Sequence, residues 1–438
     1  MTGDAGPMSL SGAGCVFAET DIEWKVMRTT RKTHGAAALF TLLFLLSYPA
    51  RSQVVVGQYE DEAPVRSWNN FGLLTAQATA MGGSRFALAG DASVSLCNPA
   101  ALTRLPKFTV TLNGSLNRAS FFRYALVNTG PLFTAGNVTI QIYSWDYAGL
   151  SYSFRGWHIA LNLALTEYYY RPGMTATSSF GGQAYRTLEF EQEGVLQTIN
   201  FAAARKIGSR LSIGLGFNLF RGFLDRLVGE KYEYSGITIT DTVQNDFSGF
   251  ALNGGVIWDA TGNVSLAAVF RAPYTKKAES RSVRSFISPE TDLSSVDDAS
   301  GSYRQPLILG AGVHYKITPN LRVASDLSFF NWGRYSVDSF GEKLDRPFKN
   351  VLKFSIGAEY LGSIRLFGKE ARLPLRIGFS YDPQPVAEPG VRYVYGSLGT
   401  GLHSGRFSVD LAALIGREFG TGNDLGVQKF VLTVSYKQ

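Results

Sequence analysis

Histidines and cysteines are the residues of this chain whose types could support catalysis, and their spacing argues against it. After residue 52 the sequence contains three histidines, His158, His314 and His403, and a single cysteine, Cys97. The Gly-x-Ser-x-Gly and His-Glu-x-x-His motifs, which place a nucleophile or a metal ligand beside a base, do not occur. One cysteine forms neither a metal cluster nor an intramolecular disulfide. We therefore predict neither an enzyme nor a metal or cofactor site.

Two-residue alternation identifies the elements that must position any functional side chain. Beyond Lys107 the chain divides into segments of about ten residues in which apolar and polar residues alternate, as in a strand with two unlike faces. The clearest examples span residues 211–219, 352–360, 375–382, 407–416 and 430–437. One face of these segments is apolar, and the other carries mainly Ser, Gly, Asn and charged residues.

Composition narrows the class of protein. The 438 residues are 18% charged and 13% aromatic, with a mean hydropathy close to zero. A helical membrane bundle needs repeated apolar runs of about 20 residues. A closed β-barrel spans a bilayer with strands in which only every second residue is apolar, so its mean hydropathy is lower. The formal charge of +7 belongs partly to the N-terminal segment, and without a basic run it does not indicate nucleic-acid binding.

Connection lengths favour a membrane barrel over a soluble β-sandwich, whose apolar face would turn inward to a core. Tight connections at 155–156, 206–209, 260–262, 317–319 and 403–405 alternate with long polar stretches near 171–193, 225–245, 274–302 and 334–348. This asymmetry is typical of outer-membrane barrels. Aromatic residues near strand ends also fit an interfacial girdle, namely Tyr168, Tyr169, Tyr170, Phe329, Phe330, Trp332, Tyr393 and Tyr395.

These patterns predict an all-β fold, a transmembrane antiparallel β-barrel of about 14 strands over residues 107–438. Such a barrel belongs in the outer membrane of a Gram-negative bacterium. An even number of strands places both ends of the barrel on the side of the tight turns, which is the periplasm.

The N-terminal residues predict export. A basic stretch, an apolar stretch from Gly35 to Leu46 and a small-residue cleavage site before Gln53 make up a secretory signal peptide. The apolar stretch is short for a retained membrane anchor. We assign residues 27–52 to the signal peptide and residues 1–26 to a non-native upstream extension.

Residues 53–106 break the strand pattern. They contain small-residue runs and the stretch Asn98-Pro99-Ala100-Ala101-Leu102, which favour short helices and turns, and they are too apolar to remain in water. A barrel of this size encloses a lumen wider than its wall side chains fill, so we place the segment inside the barrel as a hatch. A separate periplasmic domain is the alternative, but about fifty residues with few large apolar side chains would hardly support a core.

Ordered motifs in the hatch and in later strands resemble those of the FadL/TodX family of outer-membrane transporters for hydrophobic compounds. In the hatch the resemblance rests on Ala80-Met81-Gly82-Gly83, on residues 87–93 and on Asn98-Pro99-Ala100, which is similar to the Asn-Pro-Ala signature of that family. Segments 305–312, 326–335, 356–360 and 375–383 resemble its middle and later strands. The similarity extends from about Phe71 to the end of the chain.

The resemblance implies a hatch-closed barrel that carries hydrophobic molecules, such as long-chain fatty acids or aromatic hydrocarbons, inward without energy coupling. Three positions depart from the family pattern. Ala101 stands where the family commonly has Gly, and the chain ends on Gln438 instead of an aromatic residue. The third strand, about Trp157 to Tyr169, has no internal Gly or Pro to mark the kink through which relatives release substrate sideways.

The candidate site residues fall into three groups. The turns of the hatch, with a movable gate as their functional interpretation, involve Met81, Gly82, Gly83, Asp91, Asn98, Pro99 and Ala100. Aromatic residues of the outer loops either receive the substrate or simply pack in the girdle and loops, namely Phe121, Phe122 and Phe133. Charged residues on the lumen face would hold the hatch, meet a carboxylate head group or form a satisfied polar network, namely Arg322, Asp326, Lys353, Glu359, Arg376 and Asp410.

Function and partners follow from this interpretation. We expect passive uptake of hydrophobic compounds by a monomeric channel that contacts outer-membrane lipids and is inserted by the barrel-assembly machinery, with no nucleic-acid partner. Relatives resembling PorV share the barrel and serve as shuttle or anchor components in protein secretion, and this alternative stays open. Fatty acids and aromatic hydrocarbons share apolar bulk, so the sequence does not choose between them.

Overall fold

The computed structural model describes residues 75–122, 137–169, 171–180, 183–339, 342–344, 348–366, 368–385, 390–420 and 426–438. The predicted extension, the signal peptide and the first part of the predicted hatch lie outside the described residues. One helix, α1 (Ala76–Ala80), and two 3-10 helices, Ala92–Leu96 and Pro99–Arg104, precede the strands, and a third 3-10 helix, Trp332–Arg334, lies among them. No helix in the described part of the chain is long and apolar enough to cross a membrane.

The strands follow in chain order. They are β1 (Phe108–Phe122), β2 (Asn137–Phe154), β3 (Trp157–Tyr168), β4 (Arg171–Phe180), β5 (Gln183–Ile207), β6 (Leu211–Tyr232), β7 (Ile237–Asp259), β8 (Val264–Arg271), β9 (Tyr274–Ile287), β10 (Asp292–Gln305), β11 (Ile308–Lys316), β12 (Leu321–Phe330), β13 (Ser336–Ser339), β14 (Glu342–Leu344), β15 (Val351–Leu366), β16 (Lys369–Pro383), β17 (Arg392–Ser404), β18 (Phe407–Phe419) and β19 (Gly426–Lys437).

These segments form one closed antiparallel barrel of 14 strands. Four pairs of segments are successive parts of a single barrel strand, because each pair runs along the same neighbour: β3 with β4, β8 with β9, β10 with β11 and β12 with β13. β14 adds a short hairpin to β13. Pairing of β19 with β1 closes the cylinder. The predicted barrel of about 14 strands is confirmed.

The alternating residues divide between the two faces of the wall as predicted. In β18 the exposed side chains are Phe407, Val409, Leu411 and Ile415, and the buried ones are Ser408, Asp410 and Ala412. An apolar face that is exposed instead of packed in a core excludes the β-sandwich and matches what a bilayer requires. The first strand begins at Phe108 and the last ends at Lys437, both beside the tight turns, which marks that end as periplasmic.

Connections at the two ends differ, although the long polar stretches are largely strands and not loops. Six tight turns follow Phe154, Ile207, Asp259, Lys316, Leu366 and Ser404. At the extracellular end, residues of the stretches 171–193, 225–245 and 274–302 form β-hairpins that continue the wall, so that β5 has 25 residues and β18 only 13. Outside the bilayer a strand needs no apolar face, so the two-residue alternation that predicts strands is lost there. The stretch 334–348 is described only in part.

Most aromatic residues assigned to the girdle face the interior instead. Six are buried: Tyr168, Tyr169, Phe330, Trp332, Tyr393 and Tyr395. Neighbouring residues of a strand face opposite sides, so a run of aromatic residues cannot lie entirely on the lipid face. Tyr170 lies outside the described residues. The exposed aromatic side chains nearest the periplasmic end are Phe154, Trp157, Trp258, Tyr315, Tyr360 and Phe407.

Candidate functional site

Residues 75–106 lie inside the barrel and are held in shape by glycines and helix caps. α1 is followed by Gly82 and Gly83, whose φ angles of +69° and +93° fall in the left-handed region that glycine enters most readily. Asp91 caps the next 3-10 helix by accepting a hydrogen bond from the backbone N of Ser93 at 2.9 Å. The Asp91 carboxylate also accepts a hydrogen bond from the hydroxyl of Thr75 at 2.8 Å. This bond connects the start of α1 to the start of the first 3-10 helix.

Glycines of the wall allow the hatch backbone to lie directly on the strands. A Cβ added at Gly214 would lie 2.4 Å from the backbone N of Ala100, and one at Gly255 would lie 2.2 Å from Oδ1 of Asn98. The same Oδ1 caps the following 3-10 helix, and Nδ2 of Asn98 donates to the carbonyl of Phe86 at 2.7 Å. The Asn-Pro-Ala stretch therefore fits only where the wall residues beneath it have no side chain.

A second pair of glycines receives the Met81-Gly82 turn. Gly357 and Gly378 are paired across β15 and β16, and a Cβ at Gly378 would lie 2.0 Å from the backbone N of Gly82. That N donates to Oγ of Ser397 at 3.1 Å. Both turns of the hatch motif thus rest on glycines that the sequence marks only as residues of the polar face.

Four buried asparagines on neighbouring strands form an amide ladder: Asn162, Asn200, Asn218 and Asn253. Nδ2 of each donates to Oδ1 of the next, at 2.9 Å, 2.9 Å and 2.8 Å in that order. Both ends hold Ser95 of the hatch, because Asn253 donates to its carbonyl at 2.8 Å and Asn162 to its hydroxyl at 2.7 Å. The ladder therefore binds Ser95 of the hatch through uncharged groups. In the sequence its only signal is asparagine recurring at polar positions of successive strands.

Four of the six predicted lumen charges form one chain of ion pairs on β12, β15, β16 and β18. Arg322 pairs with Glu359 at 2.6 Å, Glu359 with Arg376 at 2.6 Å, and Arg376 with Asp410 at 2.6 Å. Gln77 of α1 donates to Oε2 of Glu359 at 3.4 Å. The charged side of the barrel therefore contacts the first part of the hatch, whereas the amide ladder holds the later part.

The remaining two predicted charges lie outside this chain. Oδ2 of Asp326 accepts hydrogen bonds from the backbone N of Arg85 at 2.5 Å and of Phe86 at 2.9 Å, so this carboxylate binds the hatch main chain directly. Lys353 pairs with Asp382 at 2.5 Å. The structure thus brings the six residues to the interior but divides them among three sets of contacts.

The three histidines lie on different strands. His158 follows the first tight turn, where its Nδ1 lies 2.7 Å from Oγ of Ser153, and His403 precedes the last, with Nε2 3.0 Å from Asp410. His314 is buried in β11. In the described part of the chain no three potential metal ligands are grouped together.

An apolar cluster lies on the extracellular side of the hatch. We call seven of its aromatic residues the aromatic cluster: Tyr169, Phe220, Phe247, Tyr274, Tyr303, Trp332 and Tyr335. The rings of Phe220 and Tyr274 stack with centroids 4.6 Å apart, and the Phe247 ring lies 5.4 Å from Tyr169 and 5.9 Å from Tyr303. This cluster is continuous with Phe86 of the hatch. One side of the lumen is therefore apolar and the opposite side is charged.

Lys276 lies within the aromatic cluster. Its ammonium is 4.3 Å from the ring centroid of Phe247, donates to the hydroxyl of Tyr169 at 2.8 Å and lies 3.5 Å from the carboxylate of Glu167. Rings and a carboxylate together stabilise a buried cation. A polar contact thus exists inside an otherwise apolar surface.

In the described residues, β2 and β3 are joined by main-chain pairing along only part of their length. They pair from Phe154–Trp157 up to Tyr147–Ala164. Beyond that point β2 continues along β1 and β3 along β5. We call the unpaired part of this boundary the seam. Across it, the hydroxyl of Tyr168 donates to the carboxylate of Asp146 and lies 2.7 Å from Oγ of Ser144.

The third barrel strand is interrupted beside the seam although it contains no glycine or proline there. The register against β5 shifts between Leu165 and Glu167, which leaves Thr166 as an extra residue, and the segment β3 ends at Tyr168. A bulge requires one additional residue and no special residue type. The absence of Gly and Pro was therefore a poor guide to the shape of this strand.

The predicted aromatic contacts of the outer loops are not tested. Phe121 and Phe122 end β1, where they pair with Val138 and Asn137, but their side chains and the whole of Phe133 lie outside the described residues. Their role as substrate contacts stays a prediction.

Cys97 is buried in the hatch, and this burial raises the pKa of its thiol to about 11. The thiolate is the reactive form of cysteine. At neutral pH Cys97 is therefore a small apolar side chain and not a nucleophile.

Together these features define an outer-membrane β-barrel whose lumen is closed by an N-terminal segment. Residues 72–392 match the family described as outer membrane protein transport protein (OMPP1/FadL/TodX). Because this match covers most of the chain, the protein belongs to that family of outer-membrane channels, and its location is the outer membrane.

Solved structures share this fold at low sequence identity. A FadL homologue from Pseudomonas aeruginosa has a TM-score of 0.58 at 14% identity, covering 84% of this chain and 100% of that chain. The CymD monoaromatic hydrocarbon channel has 0.57 at 15%, covering 85% and 98%. The toluene transporter TbuX of Ralstonia pickettii has 0.55 at 16%, covering 84% and 99%. None of the curated proteins compared with the chain matches it.

Proposed function

We propose that this barrel is a channel for the passive uptake of hydrophobic compounds, with monoaromatic hydrocarbons and long-chain fatty acids as the candidate classes. The observation that supports this is the aromatic cluster, which lies between the extracellular hairpins and the hatch. An apolar solute that leaves water for such a surface is stabilised by about 25 cal/mol per Å². CymD and TbuX, which share the fold, are named for monoaromatic hydrocarbons and for toluene.

The proposed exit is sideways, through the seam. Tyr168 bridges the seam, and the next residue, Tyr169, belongs to the aromatic cluster, so the apolar interior reaches this part of the wall. On the outer face, Tyr143 and Trp145 of β2 are 69% and 74% exposed, so the wall beside the seam presents aromatic side chains to lipid. A solute leaving here would pass from protein to lipid without crossing water.

The competing proposal is the movable gate at the hatch turns. In that mechanism Met81, Gly82 and Gly83 would leave their seat and open a path to the periplasm. The close approach of these turns to wall glycines supports a lumen that the hatch closes toward the periplasm when no solute is bound. We therefore favour the sideways route, in which the hatch stays in place and blocks the path to the periplasm.

Uptake by whole cells tests the function. A Gram-negative host that lacks its own family member would express the full-length chain, and accumulation of a labelled monoaromatic hydrocarbon and of a labelled long-chain fatty acid would be measured. Saturable accumulation of one class above cells that carry no barrel supports the channel. Accumulation of neither class, at normal levels of the protein in the outer membrane, would contradict it and favour the role in protein secretion.

The remaining expectations belong to the same proposal. The protein would act as a monomer without enzymatic activity, contact outer-membrane lipids and reach its place through the barrel-assembly machinery. Membership of a family of transport channels supports transport instead of enzymatic activity.

A further inference from the structure

The periplasmic end of the barrel carries a ring of exposed basic side chains. We call this set the basic ring: Lys107, Arg155, Arg205, Lys206, Arg210, Lys316, Arg365, Lys369, Arg372 and Arg406. In the described part of the chain, Glu370 is the exposed acidic residue at this end. Asp259 is half-buried and already paired with Arg104 of the hatch. The surface is therefore strongly positive.

The basic ring extends around most of the mouth of the barrel. Of the six tight turns, those that follow Phe154, Ile207, Lys316, Leu366 and Ser404 include or border a member, and Lys107 lies where β1 and β19 close the cylinder. The extracellular hairpins differ, because basic and acidic residues are mixed there and some of them form ion pairs, as in Arg284 with Asp241 at 3.0 Å. A partner of the basic ring must therefore extend around most of the barrel.

Aromatic side chains fix the height of the basic ring relative to the membrane. The guanidinium carbon of Arg205 lies 5.3 Å from the ring centroid of Trp157, and that of Arg155 lies 4.9 Å from Phe154. Both rings belong to the exposed aromatic residues at the periplasmic end. Such rings lie where hydrocarbon meets head groups, so the guanidinium groups stacked on them lie at the level of lipid phosphates.

We propose that the basic ring binds the phosphate groups of phospholipids in the periplasmic leaflet and selects lipids with a net negative charge. Guanidinium groups match phosphate geometry with two parallel hydrogen bonds, and clustered Lys and Arg residues attract anionic lipids. A leaflet reaches every part of the circumference, whereas an acidic soluble protein would meet only one side of the mouth. This lipid site does not depend on which solute the channel carries.

Tryptophan quenching by brominated lipids tests the proposal. The purified full-length protein would be reconstituted in mixed bilayers of phosphatidylglycerol and phosphatidylcholine, with bromine on one lipid at a time. Trp157 and Trp258 are exposed near the basic ring and report the lipids beside it. We expect phosphatidylglycerol to be enriched there at least about threefold, and the enrichment to disappear at high salt because exposed charges are screened. Equal quenching by the two lipids would overturn the proposal.

Matched charge variants separate this site from a general effect of net charge. The first variant replaces four members of the basic ring: Arg155→Gln, Arg205→Gln, Lys369→Gln and Arg406→Gln. The control replaces four exposed basic residues of the extracellular hairpins: Lys231→Gln, Lys277→Gln, Arg281→Gln and Arg284→Gln. We expect enrichment to fall in the first variant and to persist in the control. Equal loss in both variants would overturn the proposal, and the salt titration of the unmodified protein remains decisive if the first variant fails to fold.

Discussion

Gly214 of β6 and Gly255 of β7 face each other across the sheet, and the Asn98-Pro99 stretch of the hatch occupies the space that their side chains would fill. Gly357 and Gly378 repeat this arrangement beneath Met81 and Gly82 on another part of the wall. The hatch is thus fitted to the barrel by main-chain contact at two places. The amide ladder and the chain of ion pairs add polar contacts to the hatch beside these two places.

Adding a methyl group at the first of these places should loosen the hatch. Gly214→Ala would place a Cβ against the main chain of Ala100, and overpacking of this kind costs about 1–3 kcal/mol. The free energy of unfolding should fall by that amount, and amide exchange of Asn98 and of Ala100 should become faster. Gly396→Ala is the control, because a Cβ there meets nothing within 4 Å. Equal stability of the two variants would contradict the close packing of the hatch against Gly214.

Breaking the amide ladder should cost stability without changing charge. Asn218→Ala removes the amide that accepts from Asn200 and donates to Asn253, and an unsatisfied buried polar group costs about 1–3 kcal/mol. Denaturant unfolding in detergent micelles would measure the loss. Asn320→Ala, in an exposed turn, should be nearly neutral. A similar small effect at both positions would show that the ladder is not a support.

Cys97 should make the hatch sensitive to alkali. Burial raises the pKa of the Cys97 thiol from 9.0 to about 11, so at lower pH the thiol is protonated in both the folded and the unfolded chain. Between these values the unfolded chain releases the proton and the folded chain keeps it, and stability falls as pH rises, by about 3 kcal/mol in total. The measurement is the difference in slope of unfolding free energy against pH between the unmodified protein and Cys97→Ala. Parallel slopes would contradict the buried, protonated thiol.

The Tyr168 bridge should control passage through the seam. Tyr168→Phe cannot donate to Asp146, and a hydrogen bond to a charged group is worth about 1.5–3 kcal/mol, so uptake should rise several-fold. Deletion of Thr166 should realign β3 with β5 and reduce uptake. Tyr234→Phe, at an exposed tyrosine of an extracellular hairpin, is the matched control. Unchanged uptake in both seam variants would exclude this exit.

Locking the hatch distinguishes the two routes. Oγ of Ser84 and Oγ of Ser355 are 3.0 Å apart, so the pair Ser84→Cys and Ser355→Cys should form a disulfide between the hatch and β15 in a Cys97→Ser background. We expect full uptake in the oxidised form, because the sideways route leaves the hatch in place. Uptake that is lost on oxidation and restored by a reductant would instead establish the movable gate. The wall pair Asn245→Cys and Ser280→Cys, which are cross-strand partners in β7 and β9 away from the hatch and the seam, controls for oxidation itself.

Two-residue alternation was sufficient to predict the barrel and the inward direction of Asp326, Glu359, Arg376 and Asp410, because the side of a strand on which a residue lies depends on parity alone. The partners of these residues depend on register and on the path of the hatch, which no local pattern contains. The bulge at Thr166 and the extracellular strands were not predictable for the same reason. Both depart from the alternation that membrane contact imposes.

The amide ladder has a consequence for how the hatch responds to its surroundings. Amide hydrogen bonds do not depend on protonation, whereas an ion pair is lost when its carboxylate is protonated. Strong acid therefore weakens the ion-pair chain that Gln77 contacts through Glu359 and leaves the contacts of the amide ladder with Ser95 in place. Under such conditions the hatch would remain attached to the wall at Ser95.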